Sequence, residues 1–230
     1  MLNFIAYQTT LNQLLPMIHP FTYEENLQNK SVVQMPSYNT YIYLLVLSPQ
    51  GMLREKIMDI KDAFARNYSH PFARSIKPHL TLIQFMQRGL AEEKIVARFK
   101  TIAKAQAPIK IELKDFGNFP SHTIFINVTS KVPLMNLSKN LREAQSLLKY
   151  APGDKPFFLT EPHLTIARKL VPWQHEKAWI EYSNSSFTGR FMADKMTLLK
   201  RKVDHNSYEH VADFEFMSEP QEAVQGSLFG

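Results

Sequence analysis

Two short segments hold the side chains best suited to chemistry: Pro78-His79-Leu80-Thr81 and Pro162-His163-Leu164-Thr165. Each runs on into apolar residues, Leu82-Ile83 and Ile166-Ala167, as a β-strand would. In a strand, residues i and i+2 project to one face. Each His therefore shares a face with its Thr, while Leu80 and Leu164 turn away. Two imidazoles and two hydroxyls converging in one cleft would suit work on a phosphodiester. A neutral imidazole can take a proton from the attacking oxygen, and a protonated one can give a proton to the leaving oxygen. The hydroxyls can donate to non-bridging oxygens, where negative charge builds. One His on an apolar strand is ordinarily structural, so it is the duplication that points to chemistry.

The elements around the two motifs repeat as well. The motif histidines are 84 residues apart. Before the first, Leu53, Ile57, Ile60 and Phe64 recur at helical spacing, which predicts an amphipathic helix over 51–66. The same offset reaches Leu137, Leu141, Ala144 and Leu148, within a helix predicted over 133–149. A β-rich run precedes each helix, with Ile42 and Leu44 mapping onto Ile126 and Val128. A second helix follows each motif, with Ile95 and Val96 mapping onto Trp179 and Ile180. The full expectation is strand 41–47, helix 51–66, strand 79–86, helix 91–105 and strand 108–115. A second series follows, with strand 122–128, helix 133–149, strand 162–169, helix 173–183, and strands near 187–199 and 207–216. This predicts an α+β fold, duplicated and bilobal. Two mostly antiparallel sheets with outer helices would be related by a pseudo-two-fold around a central cleft. One domain is expected over 39–219, with lobes of roughly 39–118 and 119–219. Residues 1–38 read as an N-terminal extension, and 220–230 as a flexible tail.

Bulk composition narrows the function classes. With 44% hydrophobic and 21% charged residues, the 230-residue chain is ordinary for a globular protein with a real core. No apolar run approaches the roughly 20 residues of a membrane span, and no Lys or Arg precedes Lys30, whereas a secretory signal would need a basic start. The absence of Cys removes disulfides, zinc-thiolate sites and thiol nucleophiles, and fits a cytoplasmic location. Only seven Gly are present, in no dinucleotide or P-loop pattern. A metal site would need carboxylates near the motifs, where Glu161 is the main candidate, and no H-x-H or H-E-x-x-H occurs. No cofactor or metal is expected. The net charge of +6 leans toward anionic partners, and the one dense basic cluster, Lys200-Arg201-Lys202, reads as a solvated strand end. His19, His70, His122, His175, His205 and His210 follow no pattern.

Two His-hydrophobic-Thr motifs about 80 residues apart, each on a strand after a βα unit, resemble the 2H phosphoesterase superfamily. The likeness is to its bacterial branch of 2′-5′ RNA ligases and RNA 2′,3′-cyclic phosphodiesterases, and it spans roughly residues 40–216. It implies metal-independent opening of cyclic phosphates on RNA ends or small nucleotides, or 2′-5′ ligation by the same chemistry. His79 and His163 would then be the acid/base pair, and Thr81 and Thr165 would hold phosphate oxygens. The second family motif often continues to an Arg, matched here by Arg168. Strand parity alone would turn Arg168 away from His163, so its participation requires a bulge or a strand end. Relatives also stack a base near the cleft, which makes Phe157, its neighbour Phe158 and Phe85 candidates. Where some relatives carry an aromatic five residues after the first His, this chain has Gln84. The competing function is a non-catalytic RNA- or nucleotide-binding module of the same fold, for which two proton-transfer groups would be superfluous. Separately, Gln225-Gly226-Ser227-Leu228-Phe229 is similar to the short motif by which bacterial proteins dock on the DNA sliding clamp.

Overall fold

A computed structural model describes residues 39–219. The N-terminal extension and the clamp-like pentapeptide lie outside the described residues. β1 (Thr40–Leu47) is an unbroken β-branched, aromatic and leucine run whose last five residues are buried. Gly51, at φ +55°, turns the chain from β1 into α1 (Gly51–Asn67), a backbone angle that few other residues adopt cheaply. A short helix, α2 (Phe72–Ser75), leads into β2 (Leu80–Arg88). α3 (Glu92–Ala105), β3 (Ile109–Phe119) and β4 (Thr123–Val128) follow. After them come α4 (Lys131–Leu141), β5 (Phe157–Phe158), β6 (His163–Arg168) and α5 (Pro172–Tyr182). β7 (Thr188–Ala193), β8 (Lys195–Lys202) and β9 (Glu209–Glu215) complete the fold. Among the described residues no helix is long and apolar enough to cross a membrane.

The strands form two antiparallel halves, β7-β3-β4-β6 and β2-β1-β8-β9, joined where β6 pairs β2. That junction is the single pair Leu80↔Leu164, the same residue of each motif. A pseudo-two-fold therefore passes between them. The halves are not consecutive stretches of chain. β3 follows the first motif yet pairs with β4 and β7, and β8, from the second series, pairs with β1. The sequential division near residue 118 thus does not describe the sheet, because each series gives its later strands to the other half. The predicted strand near 187–199 is accordingly two strands in opposite halves, and the chain switches sides at Asp194.

Both motif strands carry a bulge at the same place. Along β1, Leu45 faces Ile83 and the next residue, Val46, faces Thr81, so Leu82 is extra. Along β4, Ile124 faces Ala167 and Phe125 faces Thr165, so Ile166 is extra. One inserted residue reverses which face the later side chains point to. Leu80, Leu82, Ile83 and Phe85 all fall on the buried helix-covered face, as do Leu164, Ile166 and Ala167. His79, Thr81 and Gln84 fall on the other face, with His163, Thr165 and Arg168.

The 84-residue offset holds for the motif strands but not for what precedes them. By pairing with the bulges, Val46 matches Phe125, 79 residues on. Connections at the surface tolerate length changes that strands packed across the axis do not. Ile180, mapped onto the buried helix face, is 70% exposed, and Ala178 and Tyr182 form that face instead. The helix predicted over 133–149 ends at Leu141 and tightens into a 3₁₀ turn over Arg142–Ala144. Beyond it, the Leu147 and Lys149 carbonyls accept hydrogen bonds from Gln87 Nε2 at 3.1 and 2.8 Å.

Gly117 in β3 lies beneath the Phe125 ring. A Cβ there would meet Phe125 Cε2 at 2.5 Å and Asn127 Oδ1 at 2.6 Å. Gly117→Ala should therefore destabilise the protein by about 1–3 kcal/mol, the usual cost of overpacking, read as a lower urea midpoint.

Candidate active site

Extending the Leu80↔Leu164 register by one residue each way sets His79 opposite Thr165 and Thr81 opposite His163. All four side chains are half-buried and share the face away from the helices. Each His makes the same local contact. His79 Nδ1 donates to the Lys77 carbonyl at 2.8 Å, and His163 Nδ1 donates to the Glu161 carbonyl at 2.8 Å. A carbonyl can only accept, so Nδ1 carries the proton and Nε2 is the unprotonated nitrogen of each neutral ring. Neither Thr hydroxyl is engaged by another described residue.

The surroundings of His79 disfavour its charged form. Burial pulls the His79 imidazole down to about 4, against the hydrogen bond to Lys77. The cations Lys61 and Arg168, and His163, push the same way. Lys61, from α1, lies under β6 and is 1% exposed. Its ammonium donates to the Thr165 carbonyl at 3.0 Å and the Ile166 carbonyl at 2.9 Å, the two residues at the bulge. His70, also buried, is hydrogen-bonded to the Arg168 backbone. The connection between the first series' strands thus holds the second motif strand.

The aromatic candidates separate. Phe85 is 4% exposed and stacks on Tyr43, with ring centroids 5.0 Å apart and planes 8° from parallel. It is core and cannot take a base, because the bulge at Leu82 turned it inward. Phe158 is buried too, with the Arg142 guanidinium 4.8 Å from its ring centre. Phe157 is 52% exposed and pairs with Gln84 on the cleft face. Two further rings escaped the sequence reading. Phe119 stands edge-on to His163, 5.0 Å away at 89°, and Phe125 lies 5.0 Å from the same imidazole. Only strand register reveals them, since Phe125 pairs Thr165 from another strand. Lys61 did leave a signal, as a cation four residues after Ile57 and three before Phe64 on an apolar stripe.

Arg168 is exposed on the same face as His163 and Thr165, and Gln84 is its counterpart in the first motif. Among the described residues no three His, Asp or Glu side chains gather as metal ligands. Beside His163, Lys114, Asn127, Thr129, Lys131 and Glu161 line an open cavity of about 440 Å³. The basic cluster is committed elsewhere. Lys200 pairs with Glu92 at 2.9 Å, and Arg201 Nη1 donates to the Lys202, Val203 and His205 carbonyls.

Residues 49–205, which include both motifs, match the 2′-5′ RNA ligase superfamily. The chain belongs to that superfamily. A Bacillus licheniformis protein whose name places it among phosphoesterases is 27% identical over 138 residues, which is 58% of this chain and 74% of its own. The solved structure of TT0787 from Thermus thermophilus superposes with a TM-score of 0.56 at 18% identity. It covers 78% of this chain and 100% of that one. E. coli LigT, solved with 3′-AMP, gives 0.54 at 14% identity, covering 77% and 98%. At such identities the structural likeness speaks for the fold. Membership in the 2′-5′ RNA ligase superfamily makes this an enzyme acting on phosphodiester bonds.

Folded His79 favours its neutral form, so between about pH 6.5 and 4 the native state binds fewer protons at this site than the unfolded chain does. His79 therefore subtracts stability as pH falls through that window. Urea unfolding across it should show wild type losing stability more steeply than His79→Asn; parallel curves would contradict the shift.

Proposed function

We propose that this superfamily member is a metal-independent phosphodiesterase that opens 2′,3′-cyclic phosphates on RNA ends or small nucleotides. The observation that carries this reading is the matched pair of histidines. Both are fixed by Nδ1 to the carbonyl two residues upstream, and they flank the pseudo-two-fold with a Thr opposite each.

The reaction divides between them. His79, favoured neutral, accepts the proton of the attacking water through Nε2. As the new P–O bond forms, one ring P–O bond breaks, and His163 gives its proton to the departing ribose oxygen. The product is a monoester, and the two imidazoles exchange protonation states, to be reset by solvent. Thr81 and Thr165 donate to the non-bridging oxygens as charge builds, and the Arg168 guanidinium adds positive charge on that face. With a 5′-hydroxyl in place of water, the same transfers join two strands through a 2′-5′ bond. Phe157 and Phe119 are exposed or half-buried rings on the cleft face and are the surfaces on which a base would stack. That E. coli LigT was solved with 3′-AMP is consistent with a nucleotide substrate.

Purified protein should hydrolyse members of a cyclic-phosphate panel equally well with and without EDTA. His79→Ala and His163→Ala should each lose on the order of 10²-fold or more in kcat/KM, as for a positioned acid or base. Thr81→Ala and Thr165→Ala should lose less, and the double His variant little more than either single one, since the two act as a unit. Near-full activity in the single His variants, or strict dependence on added metal, would reject the mechanism.

The pH profile carries a separate expectation. kcat/KM should be bell-shaped, with an acid limb below the ordinary His range because His79 must lose its proton to act. An acid limb above pH 7 would rule out His79 as the base.

A further inference from the structure

Lys61 is a buried cation with no carboxylate partner among the described residues. It sits on the apolar face of α1, between Ile57 and Phe64, and no described Asp or Glu pairs with it. The charged group that bears on it is Arg168, another cation. An ammonium buried without an anion is costly, and an apolar residue at the position would avoid that cost.

Pseudo-symmetry shows that the charge is not needed to build the bulge. Buried Ile57, Lys61 and Phe64 of α1 correspond to buried Leu134, Ser138 and Leu141 of α4. Ser138 Oγ donates to the Leu159 carbonyl at 3.0 Å, and the Leu159 amide donates to the Leu82 carbonyl at 2.8 Å. The first bulge is thus held by neutral donors. The second uses a lysine, one strand below the floor on which His163, Thr165 and Arg168 stand.

We propose that Lys61 is a positioning residue whose charge helps to hold the phosphate of the substrate. It holds the Ile166 bulge that turns Arg168 toward the cleft, and its charge favours both bound phosphate and a neutral His79. The groups whose charge couples to it are Arg168 on β6, His79 before β2 and His70 after α1, all cationic or neutral. Burial, and then Arg168, draw the Lys61 ammonium down to about 8. The inference rests on the phosphodiester reading only for the identity of the anion.

Lys61→Gln keeps N–H donors and removes the charge, while Lys61→Met removes both. With inorganic phosphate as the probe, Lys61→Gln should bind about tenfold more weakly, within the usual range of coupling between sites. His79, followed by NMR, should titrate at higher pH than in wild type. A lysine of purely structural use would lower stability in both variants and leave phosphate affinity and the His79 titration unchanged; that result overturns the proposal. Should neither variant fold, wild-type protein suffices. By reciprocity, saturating phosphate must raise the pH at which the Lys61 ammonium titrates. No upward movement, or no phosphate binding by wild type, overturns the proposal. None of these readouts requires turnover, so inactivity toward every cyclic phosphate would reject the proposed reaction and leave the coupling of Lys61 to bound phosphate standing.

Discussion

The site depends on one antiparallel contact, Leu80 against Leu164. Because these are the same residue of two repeated motifs, each His is brought opposite the other motif's Thr. Both leucines are buried on the helix-covered face, so burial of apolar surface holds the junction while the polar residues on either side turn to the cleft. A slip of one residue would put the histidines into the core and the leucines into the cleft. The core therefore enforces the register that brings the four polar side chains to one face.

The paired bulges extend the same control along each strand. Without them Gln84 and Arg168 would face the core, and Phe85 would face the cleft. With them, each motif presents three polar side chains to the cleft instead of two. The bulges also leave carbonyls that need donors, and the two halves answer differently, with a backbone amide in one and the Lys61 ammonium in the other. Burial, and then Lys61, Arg168 and His163, oppose charging His79, so that imidazole is held neutral.

The exchange of strands between halves explains why the site does not fall apart into lobes. β3 and β8 each join the half built by the other series, and α1 places Lys61 under the second motif. Anchors such as Tyr43 Oη to Glu92 at 3.0 Å, with Lys200 on the same carboxylate, tie β1, α3 and β8 together. The cleft is framed by elements that cannot separate without breaking the sheet.

Most of the element order was legible in the sequence, because amphipathic helices and β-rich strands announce themselves by local periodicity. So were the two His-x-Thr pairs and their shared face, since alternation along a strand needs no partner. What local pattern could not supply was anything set by a neighbouring strand. The bulges at Leu82 and Ile166 exist only relative to β1 and β4, and they decided that Arg168 joins the cleft face and Phe85 leaves it. The rings of Phe119 and Phe125 reach His163 from other strands, and Lys61 reaches Thr165 from a helix more than a hundred residues earlier. The reason is physical. Spacing along one chain determines which side chains can share a face, but which face is cleft, and what lies beneath it, is fixed by the strands and helices that pack on it.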